Sequence, residues 1–166
     1  MSEPGTNKLK IRKAVLADLP SIQQVFLRSI DKLTKQDYSS AQSQAWSASV
    51  KNKERWNSIV LNSYCLLAIN QNQQIMGFGA IKMPDYIDLL YVDPNFVRQG
   101  VAQYLFSALQ MEALQAGAKT LFTHASITAK PFFEKQGFKV LGENIVQTQG
   151  EELLNYHMAK KTPPLY

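Results

Sequence analysis

The chain has 166 residues, of which 45% are hydrophobic and 19% are charged, and its formal net charge at pH 7 is +5. These values are those of an ordinary globular protein of about one domain. They exclude an intrinsically disordered chain, a collagen and a coiled coil. The excess of basic residues suits a nucleic acid, an anionic membrane surface or a phosphorylated cofactor as a partner.

Hydrophobic periodicity and turn residues predict an alternation of strands and helices. Strands are predicted at residues 8–13, 64–70, 75–83, 86–92, 120–125, 138–147 and 152–159, and helices from Asp18 onward and at residues 38–62 (with a break near 47–49), 99–116 and 129–136. This order predicts an α/β fold with a mixed, mostly antiparallel, twisted sheet flanked by helices. We expect one domain at residues 8–160, with short tails at 1–7 and 161–166.

The cysteine and histidine content argues against structural cross-links. Cys65 is the single cysteine and His124 and His157 are the two histidines, so we expect no internal disulfide and no metal site. Residues 1–13 contain no apolar segment typical of a signal peptide, and no apolar run reaches the roughly 20 residues that span a bilayer. These observations predict a cytoplasmic protein without a membrane partner.

The most informative segment is residues 92–105, VDPNFVRQGVAQYL, which joins the strand predicted at residues 86–92 to the helix predicted at residues 99–116. The first N–H groups of a helix have no intrahelical partner and can bind an anion. Gly100 and the small Ala102 allow a phosphate to approach the backbone, and Arg98 adds a positive charge. The pattern matches neither the P-loop nor the dinucleotide-binding fingerprint. It predicts either a pyrophosphate site or an ordinary turn between a strand and a helix.

Residues 97–102 resemble the acetyl-CoA signature of the GNAT acetyltransferases, Gln/Arg-x-x-Gly-x-Gly/Ala, with Val97 where Gln or Arg is usual. Residues 126–138 resemble a second signature of that family, Asn-x-x-Ala-x-x-Phe-Tyr-x-x-x-Gly-Phe, with Ser126 at the Asn position, Phe133 at the Tyr position and Phe138 at the last position. Residues 38–46 resemble a segment of a bacterial subgroup, the YafP-like proteins. The order of elements over residues 8–160 is similar to the GNAT fold, whose strands splay apart at the CoA site.

The resemblance implies an enzyme that moves the acetyl group of acetyl-CoA directly to a primary amine in a ternary complex, without a metal. The implied acceptor is a small molecule or a peptide, and the protein is a monomer or a homodimer. Two alternatives stay open: an enzyme that uses another acyl-CoA, and a CoA-binding regulatory domain that has lost catalysis. The second alternative is favoured by Val97 and by Phe133, which stands where the family usually has a tyrosine that protonates the thiolate.

The resemblance also implies where CoA binds. In the family, a backbone N–H of the strand before the signature stabilises the thioester oxygen, and the helix start holds the pyrophosphate. The corresponding residues of this chain are Leu90, Tyr91 and Val92 on the strand, Arg98, Gln99, Gly100, Val101, Ala102 and Gln103 at the helix start, and Ser126 and Phe133 in the second signature.

Three residues are candidates for deprotonating the amine. Asp88 comes first, because it lies on the strand of the oxyanion donor and burial can raise the pKa of a carboxylate. Tyr86 lies two residues away on the same face and could relay a proton, and His124 is the other candidate base. Each could instead be structural, Asp88 through an ion pair with a basic residue and the others through packing.

Aromatic and basic residues offer further candidates. Tyr38, Trp46 and Trp56 could form an aromatic wall that recognises the acceptor amine, or could pack in the interior. Cys65 stands in an apolar run and is expected in the core rather than as a nucleophile. The lysines and arginines are not interleaved with stacking aromatic residues, so nucleic acid is an unlikely partner.

Overall fold

The computed structural model describes residues 8–164, and within them seven strands form one sheet with the order β1-β2-β3-β4-β5-β7-β6. The strands are β1 (Lys10–Lys13), β2 (Tyr64–Ile69), β3 (Ile75–Lys82), β4 (Tyr86–Val92), β5 (Thr120–Ser126), β6 (Lys139–Thr148) and β7 (Glu151–Lys161). The helices are α1 (Leu19–Leu33), α2 (Ser40–Ser47), α3 (Lys53–Asn62), α4 (Val101–Gln115) and α5 (Lys130–Lys135). Neighbouring strands are antiparallel, except that β4 and β5 are parallel. In the part of the chain described, none of these helices is long and apolar enough to cross a membrane.

The predicted strands and helices are present, with small differences at their ends. Asp18 precedes α1 as predicted, but its carboxylate does not cap the helix: it accepts hydrogen bonds from the Val15 N–H and from the Arg12 guanidinium. β7 continues to Lys161 because it stays paired with β5, so the sheet includes the first residue of the predicted C-terminal tail. The predicted tail at residues 1–7 lies outside the described residues.

Both faces of the central strands are buried, as β2 shows. Cys65, Leu67 and Ile69 pack against α1 and α3, while the alternating Leu66 and Ala68 pack against α4. None of these five side chains is more than 4% exposed. Burial also raises the pKa of the Cys65 thiol to about 12, so the thiol is not ionised at neutral pH and Cys65 is a core residue.

The parallel strands β4 and β5 pair only at their beginnings. The register joins Tyr86 to Phe122 and Ile87 to Thr123, and the Thr123 hydroxyl donates a hydrogen bond of 2.9 Å to the Ile87 carbonyl. The described residues of β4 and β5 contain no pair beyond this point. The two strands therefore separate toward their carboxyl ends, which is the splay that the family resemblance implies.

A β-bulge lies where the separation begins. In the register of β3 with β4, Ile81 pairs with Ile87 and Ala80 pairs with Leu89, so Asp88 is the extra residue on β4. A bulge reverses the alternation of side chains and of backbone groups along a strand. It therefore decides which residues of β4 face the opening.

The backbone of β4 beyond the bulge directs two residues into the opening. The Asp93 N–H donates a hydrogen bond of 2.8 Å to the Met76 carbonyl of β3. Hydrogen-bonded and non-hydrogen-bonded pairs alternate along an antiparallel ladder, so Leu90 and Val92 belong to non-hydrogen-bonded pairs with β3. Their N–H and C=O groups consequently face the edge that has separated from β5.

Two glycines of β3 allow α4 to lie close to the sheet. A Cβ atom at Gly77 would be 2.7 Å from the Tyr91 carbonyl oxygen and 2.9 Å from a methyl group of Val101. A Cβ atom at Gly79 would be 2.9 Å from a methyl group of Leu109. Because Val101 and Leu109 belong to α4, these glycines set the distance between the helix and β3.

Gly77→Ala is expected to lower the free energy of unfolding by about 1–3 kcal/mol, because the added methyl group meets a backbone carbonyl and a packed side chain. Gly142→Ala is the matched control: Gly142 also lies in a strand, β6, and a Cβ atom there would have nothing within 4 Å. Urea unfolding of both variants measures the difference. Equal stability of the two would contradict the close contact between α4 and β3.

Candidate active site

A cleft of about 330 Å³ opens where β4 and β5 separate. The predicted site residues that line it are Tyr38, Trp46, Trp56, Tyr86, Asp88, Leu90, Tyr91, His124, Ser126 and Phe133. The other predicted residues, which do not belong to this lining, are Val92 at the end of β4 and Arg98, Gln99, Gly100, Val101, Ala102 and Gln103 in the turn into α4 and its first residues. The structure thus brings together the predicted catalytic and acceptor residues and places the predicted phosphate-binding residues beside them.

Asp88 faces the cleft from the bulge, and both oxygens of its carboxylate are engaged. Arg55 of α3 donates to them at 2.9 and 3.0 Å, and the Lys82 Nζ lies 4.0 Å from one of them. The Asp88 side chain is only 7% exposed. Accepting a proton would break this ion pair, so the geometry favours a positioning role for Asp88 over the predicted role as base. Sequence analysis misses Arg55 as a site residue, because 33 residues separate the partners.

Tyr86 and His124 form the second polar group of the cleft. The Tyr86 Oη lies 2.8 Å from the His124 Nδ1, and the ring of His157 stacks on His124 with the centroids 4.7 Å apart. Burial raises the pKa of the Tyr86 hydroxyl, so this group keeps its proton at pH 7. Partial burial and the neighbouring His157 lower the pKa of His124. The imidazole is therefore neutral at pH 7, and in the tautomer protonated at Nε2 its Nδ1 accepts the hydrogen bond from Tyr86.

Tyr38 and Trp46 form part of an aromatic side of the cleft. Trp46 is half-buried and makes edge contacts with Tyr38 and Tyr91, at centroid distances of 5.3 and 6.3 Å. The Tyr38 hydroxyl donates to the Leu154 carbonyl at 2.6 Å and accepts from the Ile127 N–H at 2.9 Å. Because its hydroxyl is used in this way, Tyr38 offers a ligand its ring, and Trp46 is the more accessible of the two.

Two of the predicted site residues are mainly core residues. Trp56 is 2% exposed, and its Nε1–H donates to the Ser49 carbonyl at 3.1 Å. Phe133 is 3% exposed and makes edge contacts with Phe106 and Phe138. Both reach the cleft with only a small part of their surface, so packing accounts for most of their contacts.

The turn before α4 has the backbone shape of an anion site. Arg98 and Gly100 have left-handed φ angles of 62° and 78°, and successive N–H groups in such a turn point into one concavity. The N–H groups of Val101, Ala102 and Gln103 at the start of α4 have no intrahelical acceptor, since the first such bond runs from the Tyr104 N–H to the Gly100 carbonyl at 3.0 Å. The Val101 side chain is buried in the core, so only its backbone is available to a ligand.

The beginning of this turn is anchored by an ion pair that sequence analysis misses. Asp93, 1% exposed, accepts hydrogen bonds from the Arg28 guanidinium of α1 and from the Asn95 N–H. Arg28 and Asp93 are 65 residues apart in sequence, and no local pattern connects them. The pair fixes the end of β4, and hence the entry to the turn, against α1.

The side chains of Ser126 and Gln103, two further predicted cofactor residues, have hydrogen-bond partners within the protein. The Ser126 Oγ accepts a hydrogen bond of 3.0 Å from the Ala129 N–H just before α5. Gln103 donates to the Ser107 hydroxyl at 3.1 Å. Within residues 8–164, no group of three or more side chains could hold a metal ion.

Comparisons with known proteins place this geometry in a family. The model of the acetyltransferase (GNAT) domain matches residues 34–160. The chain is 34% identical over 155 residues to the uncharacterized N-acetyltransferase YafP of Escherichia coli (strain K12), which is 93% of this chain and 97% of that protein.

Two solved structures extend the comparison to the fold. The GCN5-related N-acetyltransferase from Rhodopseudomonas palustris has a TM-score of 0.90 and 31% identity, covering 97% of this chain and 100% of that chain. The PaiA N-acetyltransferase from Thermoplasma acidophilum, solved in complex with coenzyme A, has a TM-score of 0.75 and 20% identity, covering 93% and 99%. The predicted resemblance and the predicted fold are both confirmed, and the chain belongs to the GNAT acetyltransferase family.

Proposed function

We propose that the protein transfers the acetyl group of acetyl-CoA to a primary amine of a small molecule or peptide bound in the cleft. The observation that carries the proposal is the separation of β4 from β5, which leaves the backbone groups of Leu90 facing the cleft that also holds Tyr86 and His124. A monomeric or homodimeric cytoplasmic protein with one domain at residues 8–160 is part of the proposal. Transfer of a labelled acetyl group from acetyl-CoA to an amine tests it.

The residues of this chain fit the phosphates of acetyl-CoA. A Cβ atom at Gly100 would meet nothing nearer than the Tyr104 ring at 3.7 Å, so the space above the turn is open to a ligand. The left-handed turn and the first N–H groups of α4 would hold the pyrophosphate, with Arg98 as a nearby positive charge. When bound, acetyl-CoA supplies the activated thioester. The CoA complex of PaiA, a protein of the same fold, supports this cosubstrate.

In the proposed mechanism, the Leu90 N–H stabilises the negative charge that develops on the thioester oxygen. Tyr86 takes the proton that leaves the attacking amine and passes its own proton to the His124 Nδ1, which is 2.8 Å away. His124 becomes an imidazolium and returns the proton to solvent. Phe133 cannot protonate the departing thiolate. The pKa of a thiol is about 8.5, so the thiolate can leave near neutral pH without receiving a proton.

The pH dependence of kcat/KM follows from the state of His124. Only the neutral imidazole can take a proton, so kcat/KM should fall as the pH drops through the pKa of His124, with a midpoint below the ordinary histidine value of 6.5. His157→Phe keeps a ring against His124 and removes the second ionisable imidazole, so this midpoint should move to higher pH. It should not reach the ordinary value, because burial also lowers this pKa. A pH–rate profile of both proteins measures the shift, and an unchanged or lower midpoint would count against His124 as the proton acceptor.

A further inference from the structure

The charges at the cleft are unevenly exposed to solvent. Among the lining residues described, Arg55 and Asp88 carry the full charges. The Asp88 side chain is 7% exposed, whereas that of Arg55 is 40% exposed and that of the neighbouring Lys82 is 55% exposed. Of the two charged residues that line the cleft, Arg55 is therefore the one that presents more of its side chain to solvent.

Arg55 retains hydrogen-bonding capacity after its pairing with Asp88. A guanidinium has five N–H donors in a planar fork, and Arg55 uses one from Nη1 and one from Nη2 on the carboxylate. The hydrogen bonds with Asp88 raise the pKa of Arg55, so the guanidinium keeps its positive charge at neutral pH. Such a fork is suited to carboxylates and phosphates.

The surroundings of Arg55 connect it to the reacting groups. Arg55 also borders a second hollow of similar size, together with Lys82 and the exposed Glu54. Glu54 does not line the main cleft, so its negative charge belongs to the far side of Arg55. On the near side, Arg55, Asp88 and Tyr86 all line the cleft, and the positive charge of Arg55 acts to lower the pKa of the Tyr86 hydroxyl, although burial raises it overall. The guanidinium therefore lies near Tyr86.

Resting on the proposed function, we infer that the acceptor is an amine that also carries an anionic group, a carboxylate or a phosphate, bound by Arg55 close to the reacting nitrogen. In such a site the ion pair with Asp88 holds the Arg55 guanidinium in one orientation. An acceptor with a second cationic group, such as a diamine, would be repelled by Arg55. An acceptor with a neutral group in this place would form no ion pair with Arg55.

The test is binding of matched amine pairs, measured by isothermal titration calorimetry with and without CoA. One arm compares L-amino acids with their carboxamides, and the other compares O-phosphoethanolamine with ethanolamine. We expect an anionic member to bind about 10-fold or more tightly than its neutral match, as a charged hydrogen bond provides. The arm that shows the preference identifies the carboxylate or the phosphate.

Two variants assign the preference to Arg55. Asp88→Asn keeps the guanidinium and should retain or increase the preference for the anionic member. Arg55→Gln combined with Asp88→Asn removes the ion pair as a unit, without leaving a buried charge, and should reduce the preference to about one. Lys53→Gln is the control, because Lys53 is an exposed residue of the same helix that does not line the cleft.

The inference is overturned if the neutral members bind as tightly as the anionic ones, if no anionic member binds, or if the double variant keeps the preference. Failure of the proposed function gives a different result. In that case the wild-type protein does not bind CoA, or no amine that binds becomes acetylated. The affinity of the anionic member relative to its neutral match, also measured without CoA, still reports on Arg55.

Discussion

Replacing Gly100 by glutamate is expected to abolish CoA binding while the protein remains folded. Gly100 has a φ of 78° and open space above it, so a side chain there would enter the space assigned to the pyrophosphate. A carboxylate would add repulsion against the phosphates. An uncompensated charge in such a site costs about 3 kcal/mol or more, which corresponds to a loss of affinity of at least about 100-fold. Calorimetric titration with CoA measures the affinity.

The matched control for this variant is Gly100→Gln, which has nearly the same shape and no charge. Both variants pay the cost of a left-handed conformation, about 1–2 kcal/mol, so their stabilities should be equal. CoA should bind to Gly100→Gln more weakly than to the wild type, and to Gly100→Glu more weakly still. If folded Gly100→Glu binds CoA like the wild type, the pyrophosphate does not lie on this turn.

His124→Asn is expected to lower kcat by about 10²–10⁴-fold, the usual contribution of one positioned proton-transfer group. The asparagine amide can still accept a hydrogen bond from Tyr86 but cannot take up a proton. The KM for acetyl-CoA should change little, because His124 lies in the cleft and not in the turn before α4. Steady-state kinetics with an acetylated amine as the product measures both values.

Asp88→Asn is the companion variant, since it keeps the shape of the side chain and removes its charge. Asp88 holds Arg55 in the structure, so this change should lower kcat by no more than about 10-fold, less than the loss of a proton-transfer group. The opposite result, a loss of 100-fold or more for Asp88→Asn with a silent His124→Asn, would restore Asp88 as the base, as the sequence alone suggests.

The fold could be predicted from the sequence to a large extent, because its strands and helices have clear periodicity. Residues 64–69 and 75–81 are continuous apolar runs, and the structure shows them in central strands buried on both faces. The turn before α4 could also be predicted, since Gly100 and the helix start are local features. The close contact made by Gly77 could not be predicted, because it depends on the distance between β3 and α4.

Many residues of the candidate site could be predicted individually, but the contacts between them could not. Tyr86 and Asp88 follow from the alternation of β4, but the partner of each comes from another element. Arg55 reaches Asp88 from α3, and His124 reaches Tyr86 from β5. His124 in turn meets His157 through the antiparallel register of β5 and β7. Such contacts are set by tertiary packing, so the sequence ranked Asp88 first without showing that its oxygens are occupied.

The measurement that tests the central claim most directly is incubation of the protein with acetyl-CoA labelled with ¹³C in the acetyl group and a panel of amines. Mass spectrometry follows the label, and a thiol reagent follows the release of CoA. The account predicts that label appears on the nitrogen of at least one amine, in equal amount to the thiol released, and that Gly100→Glu prevents both. Thiol release without an acetylated amine, or CoA binding without any thiol release, would contradict it and indicate a thioesterase or a regulatory CoA-binding protein.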